Sequence, residues 1–340
     1  MKRRRLGRSG LVVSEVCLGT MTFGNMADER ESLAILDEAF AKGVDFLDVA
    51  EIYPVPPNPE HAGRSEQIVG KWLAQRPRDS VVVATKVAGP GGGWFVPPVR
   101  GGRTALDGHH IERAVEASLR RLQTEVIDLY QTHHFDEHTP IEETLRALDD
   151  LVRAGKVRYV GCSNYPAWRL SEALATSERL GLARYETVQP RYNLLYREIE
   201  TELLPLARSQ GLGVLVYNPI AGGVLSGKYA QGDQPQQGTR FTLGRAGALY
   251  QRRYWDDAML GLAQELQDAA KSRDLPLPTV AVAWVLQQSG ITSAIIGASR
   301  PDQLAATVAG ATVKLDPELS ALCDAAFFRL PRQPVLEGYR

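Results

Sequence analysis

Eight strand-like runs, each followed by a helix-like run, predict a closed (β/α)8 barrel of the TIM type, with long rim loops and a C-terminal extension. Three observations carry that expectation. Strand and helix signals alternate throughout. Several strands, such as "VVVA" and "VLVY", are unbroken apolar runs, as strands buried on both faces must be. Proton-handling side chains recur at strand ends, where barrel active sites are built. A barrel takes ~250 residues, so the 340 residues present leave room for long loops, and residues 1–340 are expected to form one domain. A doubly wound sheet is the alternative. It is disfavoured because no strand–GxGxxG–helix signature stands near the start, and "GPGGG" at 89–93 has no helix directly behind it.

Each element has a local signal. "VSEVCLGT" reads as the first strand and "ERESLAILDEAFAKG" as a helix stopped at Gly43. "VDFLDVA" and helical "SEQIVGKWLAQR" follow, then "SVVVATK". Residues 89–108 are rich in Gly and Pro and read as a loop. "HHIERAVEASLRRLQ", "VIDLYQTH", "PIEETLRALDDLVRAG" and "KVRYVGCS" continue the rhythm, as do "WRLSEALATSERLG", "YETVQP", helical "IETELLPLARSQG" and "LGVLVYNP". Residues 221–254 read as a second long loop. Helical "WDDAMLGLAQELQDAAKSR" and "LPTVAVAWVLQQSG" precede the last strand, "TSAIIGA", and its helix, "RPDQLAATVAGA".

Composition narrows the function. The 39 basic and 40 acidic residues nearly cancel, so neither nucleic acid nor an anionic membrane is an expected partner. The basic start "MKRRRLGRSG" reads as a solvated leader. No signal peptide or spanning segment is evident, and Cys17, Cys162 and Cys323 lie in mostly apolar contexts. Buried thiols in a reducing, cytoplasmic setting are expected. No HExxH or Cys/His cluster suggests a metal.

The chemistry-bearing residues are Asp48, Tyr53, Lys86 and His133, all at or just past strand ends. A phenol has a pKa near ~10. It becomes a useful acid when a nearby ammonium stabilises its anion, the part Lys86 could take, with Asp48 holding the lysine. His133 could donate a hydrogen bond to a substrate oxygen. His134 is expected on the opposite face. Ser163, Asn164 and Gln189 end two further strands and suit a planar carboxamide, while Tyr217 offers a stacking face. Strand eight opens through Gly297 into Ser299 and Arg300, with Gln303 one turn on. A hydroxyl, a guanidinium and a helix start suit a phosphate monoester. The run "NPIAGGVLSGKY" adds small residues able to fold over a pyrophosphate, and the charge of Lys228. Two anion sites, a stacking ring and an amide floor describe a phosphorylated dinucleotide. Aromatic lining is expected from Trp94, Phe95, residues 241–255 and the tail "FFRLPRQPVLEGYR".

These motifs resemble the aldo-keto reductase family over nearly the whole chain: "GVDFLDVAEIY", "GRSEQIVGKWL", "ATK", "RLQTEVIDLYQTH", "RAGKVRYVGCSNY" and "GGVLSGKY" occur in the family's order. The chain most resembles the bacterial branch related to potassium-channel beta subunits, and "EIYPVPPNPEHAGRSE" resembles its Tas-like reductases. The resemblance implies an NADPH/NADP+-binding barrel that reduces small-molecule carbonyl substrates, and a possible homo-oligomer. It implies a catalytic set of Asp48, Tyr53, Lys86 and His133. It places the nicotinamide near Gly19, Thr20, Met21, Asp48, Ser163, Asn164, Gln189 and Tyr217. It implies a pyrophosphate strap of Asn218, Pro219, Ile220, Gly222, Gly223, Leu225, Gly227 and Lys228. Gly297, Ser299, Arg300 and Gln303 complete the implied adenosine end. This chain departs from the family at Val49, where relatives often have threonine, at the insert "PVPPNPEHA", and at Thr307, where an asparagine often meets adenine. Two rivals are a slow-turnover nucleotide-binding regulator like the channel subunits, and a Schiff-base barrel using Lys86. The second leaves Tyr53, Asn164 and Arg300 without a joint role.

Overall fold

The computed structural model describes residues 1–92 and 103–331. Eight parallel strands close a barrel in chain order: β1 (Val16–Gly19), β2 (Phe46–Asp48), β3 (Val82–Val87), β4 (Ile127–Thr132), β5 (Val157–Ser163), β6 (Tyr185–Gln189), β7 (Gly213–Tyr217) and β8 (Ser293–Gly297). β8 returns to β1, with Ile295 opposite Cys17 and Gly297 opposite Gly19.

Side chains alternate across each strand, so the barrel has two cores. Cys17, Phe46, Ala84, Leu129 and Leu215 point inward. Leu18, Leu47, Val83 and Val160 point outward, against the helices. The crossovers are α1 (Glu29–Ala41), α2 (Arg64–Leu73), α3 (Gly108–Leu122), α4 (Ile141–Arg153), α5 (Ala167–Leu180) and α6 (Leu203–Gln210). Asp28 and Glu31 form a capping box at α1, and the Asp107 carboxylate caps α3. Pro205 is tolerated because it occupies the third position of α6, where a backbone N–H has no partner within the helix.

Two expectations need correction. The basic start is not a solvated leader. Arg3–Arg5 pairs antiparallel with Val12–Ser14, and this hairpin lays Leu6 and Val13, both fully buried, into the inner core. Arg4 donates to Glu15 at 2.7 Å and to the carbonyls of Ile291 and Leu286. The charges sit at the rim of a plug whose apolar residues close the barrel floor. The second correction lies in residues 221–254, which are not all loop. They contain α7 (Gly244–Tyr254), whose buried residues Ala246, Gly247, Leu249, Tyr250, Arg253 and Tyr254 recur at helical spacing. That stripe was visible in the sequence, but Gly244, Gly247 and three arginines obscured it. After it come α8 (Asp257–Lys271), α9 (Leu277–Gln287), α10 (Leu304–Ala309) and α11 (Pro317–Ala326). The loop expected at 89–108 includes a short pairing of Gly91–Gly92 with Arg103–Thr104. Trp94, Phe95 and the tail beyond residue 331 fall outside the described residues. No helix among the described residues is long and apolar enough to cross a membrane.

Candidate active site

The strand register brings together side chains far apart in sequence. Asp48 is the last residue of β2, opposite Gly19 on one side and Ala84 on the other. Lys86 projects inward two residues beyond Ala84 and is fully buried. Its Nζ donates to Asp48 Oδ2 at 2.5 Å, to the Val49 carbonyl at 2.8 Å and to the Tyr53 hydroxyl at 3.4 Å. The second carboxylate oxygen of Asp48 accepts from Gln189 Nε2 at 2.8 Å and Gln131 Nε2 at 3.3 Å. One ammonium thus links the carboxylate to the phenol inside a desolvated barrel, where such contacts are stronger than in water.

His133 follows β4. Its ring stands edge-on to Tyr53, with centroids 5.8 Å apart. Burial, then the Lys86 ammonium, then His134, hold its pKa well below the ordinary imidazole value. The ring is therefore neutral at physiological pH. His134 does not take the opposite face as expected. The strand alternation stops at Thr132, and the two imidazoles stack 5.3 Å apart, tilted by only 5°. Both line the same cavity, and burial together with Arg253 pushes His134 down to about 4.

A polar floor adjoins this group. The Ser163 hydroxyl donates to the Gln189 carbonyl at 2.9 Å. Asn164, at φ 58°, donates to the His133 carbonyl at 2.9 Å and accepts from the Tyr217 hydroxyl at 2.8 Å. These bonds fix the groups and leave lone pairs on Ser163 Oγ and Asn164 Oδ1 for a ligand. The cavity is lined by Gly19, Met21, Asp48, Tyr53, His133, Ser163, Asn164, Gln189, Tyr217, Asn218 and Gly297 among the expected residues. A Cβ on Gly19 would come within 2.8 Å of Ile295, so the bare backbone is needed there.

Other expected residues lie outside the lining. Thr20 is buried and bonds the Asp48 carbonyl at 3.1 Å. Pro219, Ile220, Gly222, Gly223, Leu225, Gly227 and Lys228 form the adjoining strap, with the Leu225 side chain in the core and Lys228 exposed. Left-handed backbone at Asn218, Ala221, Gly222, Gly223 and Gly227 curls the strap, and such concavities of successive N–H groups favour anions. The buried Asn218 Nδ2 has no hydrogen-bond partner among the described residues, a donor awaiting an acceptor. Gln303 Oε1 accepts from the Ser299 backbone at 2.8 Å and its hydroxyl at 3.3 Å, while Arg300 is exposed, 3.3 Å from Asp302. Thr307 is buried and spends its hydroxyl on the Leu304 carbonyl. Of the residues 241–255 expected to line the pocket, Tyr250 and Arg253 do so, whereas Ile52, Val55 and Arg240 were missed. Arg240, Tyr250 and Arg253 all belong to the segment first read as loop.

Comparison with known proteins gives the family. The profile of the Aldo/keto reductase family matches residues 15–327. The chain belongs to that family. It is therefore an oxidoreductase of the aldo/keto reductase type, and members of the family generally bind NADPH. It is 40% identical over 332 residues to "Uncharacterized oxidoreductase YrpG" of Bacillus subtilis (strain 168), covering 96% of each chain. It is 35% identical over 345 residues to "Protein tas" of Escherichia coli (strain K12), covering 96% of this chain and 97% of the relative. A "Probable voltage-gated potassium channel subunit beta" of Oryza sativa subsp. japonica is also 35% identical, over 346 residues and 100% of both chains. The chain is thus equally similar to the last two. Within this aldo/keto reductase family member, Asp48, Tyr53 and His133 line one cavity, and the buried Lys86 lies behind them, bonded to Asp48 and Tyr53.

Proposed function

We propose that this protein reduces aldehydes or ketones to alcohols with NADPH, with Tyr53 as the general acid. One observation carries the reading: Lys86 Nζ bridges Asp48 and the Tyr53 hydroxyl beside a neutral His133. When bound, the reduced nicotinamide would supply the hydride to the carbonyl carbon. The protein's own residues do the rest. The Lys86 charge favours the phenolate left when Tyr53 gives its proton to the carbonyl oxygen. Asp48 and the two glutamines hold that lysine. His133, being neutral, donates to the substrate oxygen without competing for the proton.

The cofactor reading rests on the fit of the adjoining groups. Ser163, Asn164 and Gln189 would meet the carboxamide, Tyr217 the ring face, and Gly19, Thr20 and Met21 the opposite edge. The strap from Asn218 to Lys228 would cover the pyrophosphate. Gly297, Ser299, Arg300 and Gln303 would take the adenosine phosphate. One domain, a cytoplasmic setting and small-molecule substrates without nucleic-acid or membrane partners complete the reading. The second reading, a slowly turning-over NADPH-binding regulator, draws on the name of the rice relative. Steady-state NADPH oxidation with 4-nitrobenzaldehyde separates the two.

Tyr53→Phe tests the chemistry. General acid catalysis contributes ~10²–10⁴-fold, so kcat should fall by about that factor with NADPH binding nearly unchanged. Retention of more than about a third of kcat, where chemistry limits the rate, would make Tyr53 the wrong acid; His133→Gln would then be the next comparison. Arg300→Ala tests the phosphate end. A charge-assisted contact is worth ~1.5–3 kcal/mol, so NADPH should weaken by roughly 10- to 150-fold. Calorimetric titration should show NADH affinity almost unaltered; equal losses for both would remove Arg300 from the phosphate site.

A further inference from the structure

The cavity carries a charge pattern that the proposed reduction does not use. Among its described lining residues the only carboxylate is Asp48, already matched by Lys86. Two guanidinium groups, Arg240 and Arg253, also line it. They stand at different ends. Arg240 lies 5.2 Å over the ring of Tyr250, whose hydroxyl is 3.5 Å from Asn218 at the start of the strap. Arg253 is one helical turn further along α7 and 9% exposed. It lies close enough to His134 to lower that ring's pKa, and His134 stacks on His133 beside Tyr53. Arg253 is thus on the acid–base side of the cavity, while Arg240 is on the strap side.

The geometry points to a substrate class: we propose that this site takes carbonyl compounds bearing a carboxylate, held by Arg253 while Tyr53 and His133 engage the carbonyl oxygen. The inference rests on the reductase reading above and adds what the substrate carries at its other end. A guanidinium has five N–H donors in a planar fork that matches a carboxylate. His134 stays neutral beside it and presents an imidazole rather than a second cation. A single guanidinium next to a neutral ring suits a monoanion. The apolar Met21, Ile52 and Val55 supply the wall for the carbon skeleton between the two polar ends.

The experiment compares 4-carboxybenzaldehyde with methyl 4-formylbenzoate, which share the ring and differ in the charge. Wild-type kcat/KM should favour the carboxylate by roughly 10- to 100-fold, the worth of one charge-assisted contact. Arg253→Met should collapse that ratio toward one, and Arg253→Lys should keep part of it. Arg240→Met should keep the ratio. Equal rates for both aldehydes in the wild type, or a ratio lost only in Arg240→Met, would overturn the assignment. If neither aldehyde is reduced, the reductase reading fails separately. The carboxylate site is then read by calorimetry with benzoate and benzamide on the NADP+-loaded protein. Benzoate binding lost in Arg253→Met supports the site, and benzoate binding no better than benzamide removes it.

Discussion

Asp48 and Glu51 are buried carboxylates three residues apart, and they differ in what meets them. Asp48 faces the barrel interior, where an ammonium and two carboxamides surround it. Glu51 sits on the outer side of the same strand end. It accepts one backbone N–H, from Ala88 at 2.6 Å, and lies 3.7 Å from His110 Nε2. The nearby Arg121 guanidinium is bonded to Glu66 instead, at 2.7 Å. Burial pushes Glu51 up to about 7, and Glu66 adds to the rise, against the Ala88 N–H and Arg121. Depth is similar in the two places. A buried acid without its own cation holds its proton to higher pH, whereas one beside a lysine has a cation to match its charge.

Removing the lysine should break this comparison most sharply. Lys86→Met leaves Asp48 with amides alone, and stranding one partner of a buried ion pair costs about 3–5 kcal/mol. Urea unfolding should show that loss, and kcat should fall by ~10²–10⁴-fold as the phenolate loses its charge partner. Adding Asp48→Asn to the same protein should recover much of the stability and none of the activity. Wild-type stability in Lys86→Met would show that Asp48 does not depend on its cation.

Glu51 should show the opposite behaviour. Its folded pKa of about 7 exceeds its ordinary value of 4.5. The folded state therefore holds a proton that the unfolded state has released. Its contribution to stability is full below about pH 4.5 and is lost as pH rises to about 7. The shift corresponds to on the order of 3 kcal/mol. Glu51→Gln keeps the acceptor for Ala88 and cannot ionise, so it should gain on the wild type by up to that amount between pH 5 and 8. Denaturant melts at both pH values check this; a constant difference would place the Glu51 titration elsewhere.

The smallest effect concerns the buried bases. His133 and His134 are depressed by burial and by Lys86 or Arg253, so each is neutral in the fold and takes up a proton when unfolded below about pH 6.5. Their contribution is lost as pH falls, which is opposite in sign to that of Glu51. Their imidazole NMR signals should stay flat from pH 5.5 to 8. A titration midpoint inside that window would mean that the cavity is wetter than its packing implies.

The barrel, and the nearness of Asp48, Tyr53, Lys86 and His133, were legible because both rest on short-range rules. Apolar runs marked the strands, and the polar residues at or just past their ends marked one rim of the barrel. What was not legible depended on the ends of those rules. His134 lies two residues past the point where alternation stops. Arg253 lies on a helix whose apolar stripe is interrupted by glycine and arginine. Glu51 gave no signal, because its environment is set by α2 and α3 residues such as Glu66 and Arg121, which only the closed barrel brings near. The basic hairpin was misread for a similar reason: its charges stand out in sequence, whereas Leu6 and Val13 count only once a barrel floor exists to receive them.

The pairing of β8 with β1 ties together segments separated by nearly the whole chain, and the Thr22 hydroxyl adds a bond to the Ala298 carbonyl at 2.6 Å. A polypeptide growing from the ribosome lacks that partner until residues 293–297 emerge. Until then β1 offers an unsatisfied edge, and the floor plug has no complete ring to fill. Contacts of such high sequence separation slow folding, since the entropy of closing the loop precedes the reward. The same seam that completes the active-site rim therefore sets the latest moment at which the nascent chain can become a finished enzyme.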